Sequence, residues 1–222
     1  MCWDQQTSMI TFVLGTAINI FNIFYFKNTV ITVLSVFWEW LLLMQLFEAI
    51  GWGSQPKNGE GCSNTNKMAA NGALIANVTQ PIIIFLLLII FTPVDIQNKI
   101  IATVIIFAYI CWLLYALNQT SPFTCFTQGK DCQNLDLAWW GQFDKSAYEI
   151  GYAFVIIICA IFLLLLRPMD LAWAAVIFII ATVAISATFY GCGMGSVWCW
   201  FAASAPLITG LYWYYTRGPP VV

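Results

Sequence analysis

Residues 36–48 read VFWEWLLLMQLFE. Every residue except Glu39, Gln45 and Glu48 is apolar, and the run extends on both sides from Val30 to Ile50. About 20 predominantly apolar residues cross the hydrocarbon of a bilayer as a helix. The stretch therefore reads as a membrane span that carries two acids and an amide inside it. A carboxyl at span centre costs about 2.5–3.5 kcal/mol on insertion scales, so it is expected to face the bundle interior, a wet cavity or a partner.

The rest of the chain agrees. Of 222 residues, 61% are hydrophobic and only 8% charged, against about a quarter charged in soluble domains. Aromatic residues reach 17%, with 11 Trp, as expected where many helix ends need amphipathic rings at the headgroup level. A net charge of −2 provides no basic surface for nucleic acid, and the absence of His removes histidine metal sites and Ser-His-Asp or Cys-His catalysis. No cofactor is implied. The start, MCWDQQTS, lacks a basic region followed by a small-residue cleavage site, so the first span is expected to direct insertion itself.

Seven spans follow from the same criterion: Thr7 to Phe26, Val30 to Ile50, Met68 to Phe91, Ile100 to Leu117, Ser146 to Leu166, Leu171 to Tyr190, and Val197 to Tyr215. The runs are too long and too continuously apolar for barrel strands, which predicts an all-α polytopic bundle, a single domain over 1–222. An odd count places the termini on opposite sides. Lys27, Lys99, Arg167 and Arg217 then share one side on short linkers near helix ends, which predicts that side to be cytoplasmic and the N-terminus to be extracellular or lumenal.

Six cysteines, Cys2, Cys62, Cys125, Cys132, Cys192 and Cys199, fall on or near the N-terminal side. An oxidising compartment would allow them to form disulfides, and buried thiols are the alternative. Their connectivity stays open, with Cys125 and Cys132 close enough in sequence to pair locally. The sequon Asn118-Gln119-Thr120 lies on the same side.

Laid on one another, spans one to three and five to seven match at several points. Lys27 falls on Arg167, Cys62 on Cys192 and Pro81 on Pro206, suggesting a 3+1+3 arrangement of two parallel repeats. In the second span Gln45 and Glu48 are three residues apart and share a face, whereas Glu39 is nearly opposite Glu48 because each residue turns the helix by about 100°. Glu39 has no Lys or Arg within any span to pair with and reads as a proton acceptor. Glu48, near the span's outer end, is either an interfacial anchor or part of a site.

In the third span IANVTQP puts Asn77 and Gln80 on one face just before Pro81. The proline ring displaces the carbonyl of Asn77, so a kink is expected there. Asn77, Thr79 and Gln80 are then either local repair of the freed backbone or part of a central site between helices broken at Pro81 and Pro206. Trp198 and Trp200, which open the last span, read as interface anchors. The last two spans contain no lysine, so a retinal Schiff base has no attachment point.

Together the opening MCWDQQTS, the run MQLFEAIGW, the TQP of the third span and GSVWCW before the last resemble a family of small seven-span membrane proteins. These occur in large DNA viruses of algae and protists, with more distant bacterial relatives. By this resemblance Met1 to Trp3, Gln45, Glu48, Gln80, Pro81, Ser196, Trp198 and Cys199 occupy the family's motif positions; Glu39 belongs to none of them. The resemblance implies an architecture and a choice of residues, and no activity.

Three functions fit these observations. A transporter or channel, proton-coupled or passing a small solute, would use Gln45, Glu48, Asn77, Gln80 and Glu39 around an aqueous path. A receptor-like protein would use the same pocket without net transport, although the short inner loops count against a G-protein-type partner. A structural component of a virion or organelle membrane would need no cavity and would call for contacts between copies in a homo-oligomer. An enzyme is not expected, because an isolated carboxyl without His, metal ligands or a second acid on its face makes a poor catalyst.

Overall fold

The computed structural model describes residues 4–55, 62–118, 125–128, 135–137, 145–190 and 194–219. Among these residues eight helices occur in the order α1 (Gln5–Phe26), α2 (Thr29–Gly53), α3 (Asn64–Val78), α4 (Gln80–Phe91), α5 (Ile96–Asn118), α6 (Lys145–Leu163), α7 (Met169–Tyr190) and α8 (Met194–Arg217). Between α5 and α6 two short strands, β1 (Phe126–Gln128) and β2 (Leu135–Leu137), pair antiparallel with Phe126 opposite Leu137. This ribbon is the departure from an all-helical expectation. It belongs to the loop and not to the bundle.

Among the described residues four stretches, Gln5–Phe26, Thr29–Gly53, Ile96–Ala116 and Met169–Ser186, are each long and apolar enough to cross a membrane, and α3 with α4 makes a fifth if the bent pair counts as one span. The described outer surface carries large apolar side chains such as Val13, Phe21, Phe24, Val104, Phe107 and Ile177. Apolar surface on this scale marks a lipid-facing protein. The chain is an integral multi-pass membrane protein.

Polar residues start the helices. Asp4 accepts from the Thr7 N–H, Asn28 from the N–H groups of Val30 and Ile31, Ser63 from the Asn66 N–H, and Asp95 from the Asn98 N–H. Each satisfies a donor that a helix start leaves without an intrahelical partner. The turn from α1 to α2 is two residues long: Lys27 takes the left-handed conformation at φ 47° and Asn28 caps the next helix. So tight a reversal forces α1 and α2 side by side and antiparallel.

α2 is the hub. Half of its span is buried, and it packs against α1, α3, α4 and α8. Its Ile31, Val33, Leu34, Phe37, Trp38 and Leu41 join the main core with residues of α4 to α8. α1 has the reverse polarity of a soluble amphipathic helix. Its buried stripe is Ser8, Thr11, Gly15, Asn19, Asn22 and Phe26, while Ile10, Val13, Leu14, Ile20 and Phe21 face outward. Steps of three and four residues along that stripe keep it on one side of the helix. Only a helix bathed in lipid benefits from hiding its polar groups and exposing its apolar ones.

Candidate functional site

The α1–α2 seam holds the intramembrane acid that sequence left isolated. Thr16 Oγ1 donates to Glu39 Oε1 at 2.8 Å, and Asn19 Nδ2 donates to Glu39 Oε2 at 2.9 Å. Glu39 follows the first residue of α2 by ten positions, about 15 Å along the axis. It therefore lies well inside the membrane. Asn19 is only 2% exposed, and its Oδ1 has no hydrogen-bond partner; neither has Ser35 Oγ, fully buried one turn before Glu39 on the same face of α2.

Further along the seam Thr11 Oγ1 stands 3.5 Å from Gln45 Oε1. Gln45 and Glu48 are each 2% exposed, so both point into protein and not into lipid. Gly15 leaves room for Leu42, whose side chain occupies the space that a Cβ at that position would need. The small residue is what lets the two helices approach closely there.

Three successive residues of α2 engage three different neighbours. Trp38 Nε1 donates to Thr209 Oγ1 of α8 at 3.0 Å, Glu39 accepts from α1, and Trp40 Nε1 donates to Thr79 Oγ1 at the break between α3 and α4 at 3.0 Å. The rotation of about 100° per residue makes this divergence unavoidable.

The expected kink at Pro81 is a bend of 52° between α3 and α4. Thr79, the joint, turns its N–H toward Ile75 O and Asn77 O, and its hydroxyl donates to Ile75 O. Gln80 Nε2 donates to Asn77 Oδ1 at 3.3 Å, and Tyr109 of α5 donates its hydroxyl to Val78 O at 2.6 Å. The freed backbone is thus repaired partly by the residues expected from sequence and partly by a tyrosine that sequence did not suggest. Pro206 differs. α8 runs unbroken through it, and its carbonyl accepts from Asn22 Nδ2 at 2.8 Å. The prolines match in sequence without both marking a break.

Beyond the seam, a ribbon-bearing loop covers one end of α2 and α3. Cys62 is joined to Cys125 by a disulfide, so Cys125 does not form the local pair with Cys132 that their spacing allowed. Phe126, fully buried, inserts beside Ala69, Ala70 and Ala73 and lies against Gly51. Asn66 grips its backbone from both sides: Oδ1 accepts the Phe126 N–H at 2.7 Å, and Nδ2 donates to Phe126 O at 3.2 Å. Cys111 and Cys159 are free thiols. Cys2, Cys132 and Cys192 lie outside the described residues, as do the side chains of Ser196, Trp198 and Cys199; Trp200 is exposed.

Charge sits at the rim. Arg217 Nη2 pairs with Asp170 Oδ1 at 2.7 Å where α8 ends and α7 begins, with both side chains about two-fifths exposed. In the turn before α5 the Asn98 N–H holds the Asp95 carboxyl below the usual carboxylate range. Among the described residues no group of three His, Cys, Asp or Glu side chains is placed to hold a metal ion.

Of the residues singled out from sequence, Asn77 and Gln80 meet each other, Gln45 meets α1, and Glu39 meets Thr16 and Asn19. These four meet different partners in the contacts described. Sequence reasoning missed the α1 side of the site, although the buried Ser-Thr-Gly-Asn-Asn stripe is visible as spacing alone. Comparison with protein-family models, with curated proteins and with solved structures returns no match.

Proposed function

We propose that this chain is a seven-helix transporter- or channel-like membrane protein, with α3 and α4 together forming the third span and the α1–α2 seam forming its polar route for a small solute or a proton. The observation that carries the reading is Glu39, an acid well inside the membrane held by two neutral donors of α1. A structural helix gains nothing from an acid at this depth, and such residues inside membranes mark ion and substrate pathways by default. The broken α3–α4 pair supports the same reading, since discontinuous helices flank the sites of many transporters.

The count of seven is supported by helix directions. α1 and α2 are antiparallel, Phe85 of α4 lies against Phe162 of α6 with ring centres 5.8 Å apart, and Arg217 of α8 meets Asp170 of α7. These contacts suit a chain that alternates direction, leaving its two ends on opposite faces. We assign the face of Lys27, Lys99, Arg167 and Arg217 to the cytoplasm and the face of the Cys62–Cys125 disulfide to an oxidising compartment. The motif resemblance to small seven-span proteins of large DNA viruses is part of this proposal.

Reconstituted vesicles test it. Liposomes carrying the protein are expected to dissipate an imposed ion or proton gradient faster than empty ones, and Glu39→Gln is expected to abolish the difference. Equal rates in protein-containing and empty vesicles would end the transport reading.

One set of contacts favours a second reading, a packing component of a membrane. Trp38, Trp40 and Tyr109 all spend their polar atoms on neighbouring helices. That reading predicts a dry seam, so an Asn19→Cys variant would resist water-soluble thiol reagents. The transport reading predicts that it reacts.

A further inference from the structure

We infer that Glu39, Thr16, Asn19 and Ser35 form a binding site for a single alkali-metal cation. The inference rests on the α1–α2 seam being the polar route and names what that seam holds. Both oxygens of Glu39 accept, one from the Thr16 hydroxyl at 2.8 Å and the other from the Asn19 amide at 2.9 Å.

A carboxylate well inside the membrane needs its charge balanced. The ion pair that the described residues form is Arg217–Asp170, at the rim of the bundle; the partners of Glu39 are neutral. We assign that balance to a mobile cation.

Two independent features point to a ligand and not to bare packing. Asn19 Oδ1 and Ser35 Oγ are buried, at 2% and 0% residue exposure, and have no partner. Such atoms are rare in folded proteins, and each calls for an explanation such as an ion. Asn19 is already bonded to Glu39, and Ser35 stands one turn from Glu39 on the same face of α2.

Hard oxygens suit hard cations: here one carboxylate, one amide oxygen and two hydroxyls. The single negative charge selects for valence one, since a divalent ion would leave an unbalanced charge inside the bilayer. No thiol or imidazole is involved, so softer transition metals are disfavoured.

The test uses the full chain in detergent, with radiolabelled Na⁺ as the probe, K⁺ as competitor and choline as the inert control at constant ionic strength. Saturable binding at about one ion per chain is expected, with Glu39→Gln weakening it at least about tenfold. Preferential displacement by K⁺ would identify the larger ion as the natural occupant within the same class. Asp170→Asn, at the rim, should bind as the parent does.

Ser35→Ala guards against misfolding as an explanation. Its hydroxyl has no partner in the protein, so a purely structural Ser35 predicts unchanged or improved thermal stability in choline and unchanged ion binding. The inference predicts the same stability in choline but weaker binding and a smaller stabilisation by Na⁺.

Absence of saturable Na⁺ and K⁺ binding overturns the site, as does parental binding in both Ser35→Ala and Asn19→Ala. Stability that follows pH but neither ion also overturns it, and assigns the charge balance to a proton. Ion binding without flux in vesicles would end the transport reading and leave this site standing. Flux without ion binding would do the reverse.

Discussion

Replacing Asn66 by Ala should release the loop that covers α2 and α3, and the size of the effect can be worked from the contacts. Asn66 is fully buried; its Oδ1 accepts the Phe126 N–H at 2.7 Å, while its Nδ2 donates to Phe126 O and to Ser54 O, both at 3.2 Å. Alanine removes all three. The Phe126 N–H is left as a buried donor without a partner, a loss of about 1–3 kcal/mol, and the two carbonyls lose about 1 kcal/mol more between them where water cannot reach. A local cost of about 2–4 kcal/mol follows. At 1.4 kcal/mol per factor of ten, opening of this segment becomes roughly 30- to 1,000-fold more frequent. Hydrogen exchange at the Phe126 amide reads that opening directly. The Cys62–Cys125 disulfide keeps the segment tethered, so the global fold should survive and the change should be confined to the loop and the start of α3. Asn66→Asp keeps an acceptor for the Phe126 N–H but loses both donated bonds, and should fall between the two. Exchange in Asn66→Ala within about threefold of the parent would refute the claim that this side chain clamps the loop.

Other substitutions probe separate contacts. Gly51→Ala places a methyl group 2.5 Å from the Phe126 ring, and the overpacking should cost about 1–3 kcal/mol, seen as a lower midpoint in thermal or SDS unfolding. Tyr109→Phe removes the hydroxyl that serves Val78 O at the bend; about 1–2 kcal/mol of stability should be lost, and faster hydrogen exchange between residues 75 and 83 would show the bend loosening. Arg217→Ala breaks an exposed ion pair and should change stability by less than about 1 kcal/mol, so a larger drop would mean that the pair does more than its exposure allows. For Asp95, held below its usual range by the Asn98 N–H, the favourable contribution to the start of α5 is complete above the ordinary carboxylate pKa and fades as pH falls through the lower folded value; a carboxyl NMR titration of Asp95 lying at or above the ordinary value would contradict this.

How far sequence carried the fold depends on the kind of signal. Thr7 to Phe26 and Val30 to Ile50 fell within a few residues of α1 and α2 because a span's edges are set by hydropathy and capping, which are local. The break before Pro81 was legible for the same reason: a missing N–H is a property of one residue. The same reasoning did not separate Pro81 from Pro206, since whether a helix runs on through proline depends on what its neighbours offer. The side chains that meet Glu39 were harder still. They belong to another helix, and the pairing of Glu39 with Thr16 and Asn19 follows from the two-residue turn at Lys27 and Asn28 that sets the register between α1 and α2. Cys125 shows the limit most plainly, because spacing left its partner open and the partner is Cys62, 63 positions away.

The tripeptide Trp38-Glu39-Trp40 joins the separate observations. Because its side chains diverge, one turn of α2 is fastened to α8 through Thr209, to α1 through Thr16 and Asn19, and to the α3–α4 joint through Thr79. Rotating α2 in place by one residue would break all of these contacts together, so α2 is the fixed element against which anything mobile in this protein must move. α1 meets α2 along its length, at Thr11 and Gln45, at Gly15 and Leu42, and at Thr16 and Asn19 with Glu39. The last of these contacts is made by the proposed ion ligands themselves. An ion bound there would hold α1 against α2 by drawing Asn19 and Ser35 toward one charge, and its departure would leave the Glu39 carboxylate unbalanced and favour entry of water or of another cation. Site occupancy and helix separation would then be linked through one carboxylate, which gives an acid in the middle of α2 a use that packing alone does not supply.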